Sequence, residues 1–357
     1  MRTLAFIMRG TAGLVLLALI SPTCHEIRAE TRPSKESDSA IGNTVHGEAE
    51  QEPINAECPT TTDDDVWLIS TRQLGCPSWN NESHVDLKVS QYSGSGDWTE
   101  SGLDELLDSE SRQTIIYVHG NRVSADEAIT RAWAAFSVLK GELAAPPMRL
   151  IIWSWPSDQI HGQLRDIRDK AFRTDLEGQY MGWFLSQIDA KTRVSLIGYS
   201  YGARIATGAM HVLGGGTICG RSTPLAHASG NRSPIQVVLI AAAMDNYWLA
   251  PGGCHDRFSS FADRLLVFYN SCDPLLKRYR LIEKRGRPVA LGYTGARGLD
   301  DDLSARTKQC DVYCSVGKTH SEAAFLSSAE VVQCVKKLLL LHVVPEVKER
   351  RPSNFEG

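Results

Sequence analysis

The feature that most limits how this chain can fold is an alternation. Short, continuously apolar runs alternate with longer segments of helical periodicity. The runs are residues 114–118 (TIIYV), 149–153 (RLIIW), 193–197 (RVSLI), 235–241 (IQVVLIA) and 264–269 (RLLVFY). Between the first two, residues 124–140 carry Ala128, Ala132, Ala135, Phe136 and Leu139 at helical spacing, and 163–188 and 202–213 also read as helices. A strand that is apolar throughout is buried on both faces, and parallel strands joined by helices provide that setting. The expected class is therefore α/β, with a mostly parallel central sheet and helices on both faces. Residues 65–71 (DVWLIST) and 85–92 (VDLKVSQY) read as leading strands and 93–102 as turns. Residues 309–315 (QCDVYCS) read as the last strand and 327–342 as the final helix.

The 357 residues hold 38 Lys+Arg against 42 Asp+Glu, a net charge of −4. That balance gives no general pull toward nucleic acid or anionic lipid. At the amino terminus Arg2 and Arg9 flank a short apolar run, residues 10–21, with polar sequence beyond it. This pattern reads as a secretory signal peptide over 1–29, cleaved after Ala29, and implies a secreted or periplasmic protein. A retained membrane anchor is the alternative. Residues 30–62, rich in Glu, Ser, Thr and Pro, read as a disordered linker, 63–345 as the folded domain and 346–357 as a charged tail. Cleavage removes Cys24 and leaves an even number of the nine cysteines, which suits disulfides in an exported chain. Cys219 and Cys254, in Gly-rich stretches on either side of the 235–241 run, are the expected pair. No cysteine spacing suggests a metal site.

Gly198-Tyr199-Ser200-Tyr201-Gly202 matches Gly-x-Ser-x-Gly, between a strand run and a helical run. A serine on a sharp strand-to-helix turn needs small neighbours, so that strand and helix pass closely and its hydroxyl stands above the sheet. The Tyr201 amide then sits at a helix N-terminus, where the dipole favours an oxyanion. A second oxyanion donor is expected from Tyr117-Val118-His119-Gly120-Asn121-Arg122, with the Asn121 amide first and Arg122 as alternative. His119 itself reads as a loop-shaping histidine.

A serine hydroxyl needs a base, usually histidine, oriented by a carboxylate. The chain order for this arrangement is Ser, acid, His. Asp273 follows the 264–269 run, and His320 lies in a glycine-containing loop after the last expected strand. Of the ten histidines only His320 has that place. Asp245, after the preceding strand, is the rival acid. Trp153 and Trp155 read equally as acyl-pocket lining or as core.

Together these residues resemble the α/β-hydrolase superfamily over roughly 65–342. Within it they resemble a poorly characterised group of bacterial serine α/β hydrolases. The likeness rests on Val66–Arg72, His119–Asn121, Gly198–Gly202, Asn270–Asp273 and Gly317–His320. It implies a serine hydrolase acting through an acyl-enzyme, with Ser200, Asp273 and His320 as catalytic residues and Asn121 and Tyr201 as the oxyanion hole. It implies no cofactor or metal, a small-molecule or lipid-like acyl substrate, and no nucleic-acid partner. With only 23 residues between the 235–241 and 264–269 runs, no large cap domain is expected there. Some members of the superfamily have lost catalysis and bind partners or envelope components, which is the alternative function.

Overall fold

The computed structural model describes residues 64–77, 85–94, 96–108, 113–140, 147–225, 232–281 and 287–340. The expected signal peptide, linker and charged tail, with Cys24, lie outside the described residues. Among the described residues nine strands form one sheet: β1 (Asp65–Ser70), β2 (Lys88–Tyr92), β3 (Trp98–Ser101), β4 (Gln113–Val118), β5 (Met148–Ser154), β6 (Val194–Tyr199), β7 (Ile235–Ile240), β8 (Ala262–Tyr269) and β9 (Thr307–Asp311). Their spatial order is β3-β2-β1-β5-β4-β6-β7-β8-β9. From β1 to β9 every pairing is parallel, while β2 and β3 add an antiparallel ribbon at one edge. The burial pattern explains the sequence pattern. Every residue of β5, β6 and β7 is buried, whereas the edge strands β3 and β9 have no fully buried residue.

Chain direction decides which face each helix covers. From β4 the chain steps to β5 through α2 (Ala125–Lys140), then back across β4 to β6 through α3 (Gln163–Gln187). Right-handed crossovers running in opposite directions place α2 and α3 on opposite faces. The next helix, α4 (Tyr201–Leu213), continues in the α3 direction and packs on α3, while the last helix, spanning Ala329–Leu340, packs on α2. This is a mostly parallel α/β architecture, with the carboxyl ends of β4 to β8 at one rim of the sheet.

The other α-helices among the described residues are the short α1 (Leu103–Asp108), α5 (Leu291–Thr294), α6 (Asp301–Ala305), α7 (Tyr313–Val316) and α8 (Glu322–Leu326), and the final α9 (Ala329–Leu340). The sequence pattern misses β3, which falls in the stretch read as turns. Its Trp98 gains its place from tertiary packing. Its ring meets Tyr92 at 5.4 Å and stacks at 6.3 Å on Trp133 of α2. The last strand is also displaced, ending at Asp311 rather than running to residue 315. Asp311 Oδ1 accepts the amides of Ser271 and Tyr313, which turns the chain into α7. The expected Cys219–Cys254 disulfide is not formed, and no disulfide joins the seven described cysteines. Cys219 sits at φ 53° in a tight turn, with its Sγ 4.0 Å from Asp175 Oδ2.

Candidate active site

Ser200 stands between β6 and α4 with φ 53° and ψ −113°. A non-glycine residue in that region is strained, and the two flanking glycines show why the turn can be so sharp. A Cβ on Gly202 would lie 2.0 Å from the Val118 carbonyl oxygen, and one on Gly198 would lie 2.6 Å from the Ala203 backbone. Only glycine lets α4 press against the end of β4 in this way. Ser200 N–H donates to the Ile240 carbonyl at 2.9 Å, which ties the elbow to the end of β7.

Three loops at this rim bring the expected acid and base to the serine. His320 Nε2 is 3.1 Å from Ser200 Oγ, and His320 Nδ1 is 2.6 Å from Asp273 Oδ2. A carboxylate only accepts, so Nδ1 carries the proton and Nε2 faces the hydroxyl as an acceptor. Asp273 is fully buried, and its other oxygen accepts the amides of Leu275 and Leu276, both at 2.9 Å. Asp245 is placed elsewhere. Its Oδ1 accepts the Tyr247 amide at 2.9 Å and closes a local turn.

Residues to which the sequence assigns no role of their own position His320. Buried Asn270 donates from Nδ2 to the carbonyls of Gly317 (2.9 Å) and Thr319 (2.8 Å), so its side chain clamps the histidine loop to the end of β8. The Tyr199 hydroxyl donates to the His320 carbonyl. Two residues on, buried Glu322 accepts from the Tyr117 hydroxyl and from Arg131 at 3.2 Å. Burial pushes the Glu322 carboxyl up, and the bonds from Tyr117 and Arg131 oppose that shift. Such clamps are visible only once β4, β6, α2 and α8 are assembled, because the partners are far apart in sequence.

The loop after β4 lies beside the elbow. The Arg122 amide donates to the Ser157 carbonyl at 2.8 Å, whereas the Asn121 amide has no acceptor among the described residues. The Asn121 side chain is turned aside, its Nδ2 3.3 Å from Asp166 Oδ2. Asp166, fully buried at the start of α3, also accepts from Arg122 Nε (3.0 Å) and the Ile160 amide (3.1 Å). Tyr201, the other expected donor, opens α4.

His119 is wholly buried and shapes this loop. Its Nδ1 bonds the Gly120 carbonyl at 2.9 Å, its Nε2 accepts the Trp155 amide at 3.2 Å, and its ring stacks on the Trp155 indole. A second proton would point a donor at a donor. Burial drives the ring down to about 3, with the bond to Gly120 opposing. Trp153 and Trp155 are both core residues, their indole N–H groups donating to Glu177 and to the His119 carbonyl. No group of His, Cys, Asp and Glu among the described residues could hold a metal ion.

No protein-family model matches this sequence, and no curated protein does. Several solved structures are distantly similar to this chain. Aspergillus fumigatus lipase B is 12% identical with a TM-score of 0.35, covering 65% of this chain and 53% of its own. This chain therefore spans about half the length of that lipase. An acetyl xylan esterase is 15% identical with a TM-score of 0.35, covering 64% of this chain and 100% of its own. A cutinase-like protein from Cryptococcus sp. is 12% identical with a TM-score of 0.29, covering 64% and 93%.

Proposed function

We propose that this protein is a serine hydrolase that cleaves carboxylic esters through an acyl-enzyme intermediate. The observation that carries the proposal is the continuous relay from the strained Ser200 through His320 to buried Asp273, at 3.1 and 2.6 Å. His320 Nε2 takes the hydroxyl proton as Ser200 Oγ attacks the acyl carbonyl, and Asp273 holds the tautomer and stabilises the imidazolium that forms. The tetrahedral oxyanion is received by the amides of Tyr201, at the positive end of α4, and Asn121. His320 returns the proton to the leaving alcohol, then activates a water to release the acid. The chemistry needs no cofactor.

An apolar acyl group suits the rim. Leu275 is exposed beside Asp273, and Leu164 is exposed at the start of α3. That end of α3 is joined to the elbow by the bond from the Tyr201 hydroxyl to the Ile167 carbonyl. Export belongs to the same proposal, resting on the Arg-flanked apolar run at residues 10–21. Its test is the N-terminal sequence of the protein recovered outside the cytoplasm. Activity is tested with a fluorophosphonate probe and short p-nitrophenyl esters. Both should react with the wild type and neither with Ser200→Ala. A folded wild type inert to both would replace the proposal with a non-catalytic binding role.

A further inference from the structure

Away from the active-site rim, two cysteines and a lysine converge where the edge strand β9 meets α9. Lys308 Nζ donates to Cys334 Sγ at 3.3 Å. Lys308 and Cys310 are two residues apart on β9, so their side chains leave the same face of the strand. The Cys310 thiol is pushed up, first by burial and further by the neighbouring Cys334 sulfur. Both thiols are partly exposed and pack on the edge of the core, while Lys308 is exposed. An ammonium beside an accessible sulfur, with a second thiol in contact, is the setting of a reactive cysteine and its resolving partner.

We propose that Cys334 and Cys310 form a peroxide-sensitive dithiol, with Lys308 activating Cys334. The Cys334 sulfur attacks one oxygen of hydrogen peroxide. An S–O bond forms as the O–O bond breaks, and the leaving hydroxide takes the thiol proton as water. The sulfur is oxidised to sulfenic acid and the peroxide is reduced by two electrons. The Cys310 sulfur then attacks Cys334 Sγ. An S–S bond forms, the S–O bond breaks, and hydroxide leaves as water with the Cys310 proton. The balance is two thiols and one peroxide giving one disulfide and two waters.

The placement gives the bridge a consequence. In the sequence β9 comes before His320 and α9 after it, so the disulfide closes the segment that carries the histidine loop and α8. A roughly 25-residue loop closed in this way should raise the melting temperature by about 6 °C, by restricting the unfolded chain.

The experiment uses the purified full chain, reduced and then treated with hydrogen peroxide, quenched by alkylation and mapped as non-reduced peptides. A peptide joining Cys310 to Cys334 should appear, the melting temperature should rise by about 6 °C, and a dithiol reductant should reverse both. Lys308→Met should slow formation of the bridge about tenfold, because the thiolate is the nucleophile and a neighbouring cation favours it. Cys310→Ser should let Cys334 proceed to sulfinic acid. Bridging of Cys310 or Cys334 to a different cysteine would overturn the pairing. Sulfinic acid on Cys334 of the wild type with no bridge would overturn the resolving role. An unchanged rate in folded Lys308→Met, and in Lys308→Gln as a second variant, would overturn the activation by lysine.

Discussion

Acidification should draw stability from His119, by an amount that follows from its surroundings. In the folded chain the ring is held neutral down to about pH 3, because it is buried with Nε2 committed to accepting the Trp155 amide. In the unfolded chain it titrates near 6.5. Between those values the unfolded chain binds a proton that the folded chain refuses, so the unfolding free energy falls as pH falls. At pH 4.5 the unfolded ring favours its protonated form about 100-fold, and the loss relative to pH 7 is about 2.5 kcal/mol. The comparison protein is His119→Gln, whose side-chain oxygen can accept the Trp155 amide but cannot titrate. Urea unfolding of both at pH 7, 6, 5 and 4.5 should show the stability advantage of the wild type shrinking by about 2.5 kcal/mol over that range. Burial lowers His211 and His255 and raises Glu177 and Glu322, but these groups are common to both proteins and cancel in the difference. A gap that stays constant from pH 7 to 4.5 would refute the reasoning.

Four substitutions test the site more directly. Ser200→Gly should stabilise the fold by about 1 kcal/mol in thermal unfolding while abolishing ester cleavage, because φ 53° is strained for serine and free for glycine. Gly202→Ala should cost about 3 kcal/mol or more, or prevent folding, since the new Cβ meets the Val118 carbonyl oxygen at 2.0 Å. Urea unfolding or the soluble yield measures that cost. Asp273→Asn should lower turnover by roughly 10⁴-fold through the wrong imidazole tautomer. Asp245→Asn should change turnover by less than about threefold, because Asp245 only closes an exposed turn. The reverse ranking in folded variants would move the acid role to Asp245.

Much of this molecule is legible in one dimension because its central strands are buried on both faces. Burial on both sides demands unbroken apolar runs, and those runs mark β4 to β8 to within two residues of their observed ends. The elbow is legible for a related reason. Its glycines answer to contacts made within a single strand–turn–helix unit, together with the end of the neighbouring β4. Ser200, Asp273 and His320 could be nominated because chain order in a parallel sheet places every loop after a strand at the same rim. The edges escaped this logic. Strands β3 and β9 have one neighbour each and little buried surface, so their patterns are weak. It was the stacking of Trp98 on Trp133 and the Asp311 turn that set where they lie. The sequence also left open which carboxylate faces His320, whether Trp153 and Trp155 line a pocket, and what clamps the histidine loop. Those depend on side chains such as Asn270, Tyr199, Glu322 and Asp166, which meet their partners across 45 to 205 residues. Contacts at that separation leave no periodicity behind. Tertiary structure alone decided them, because only the assembled sheet brings the ends of its strands within hydrogen-bonding distance.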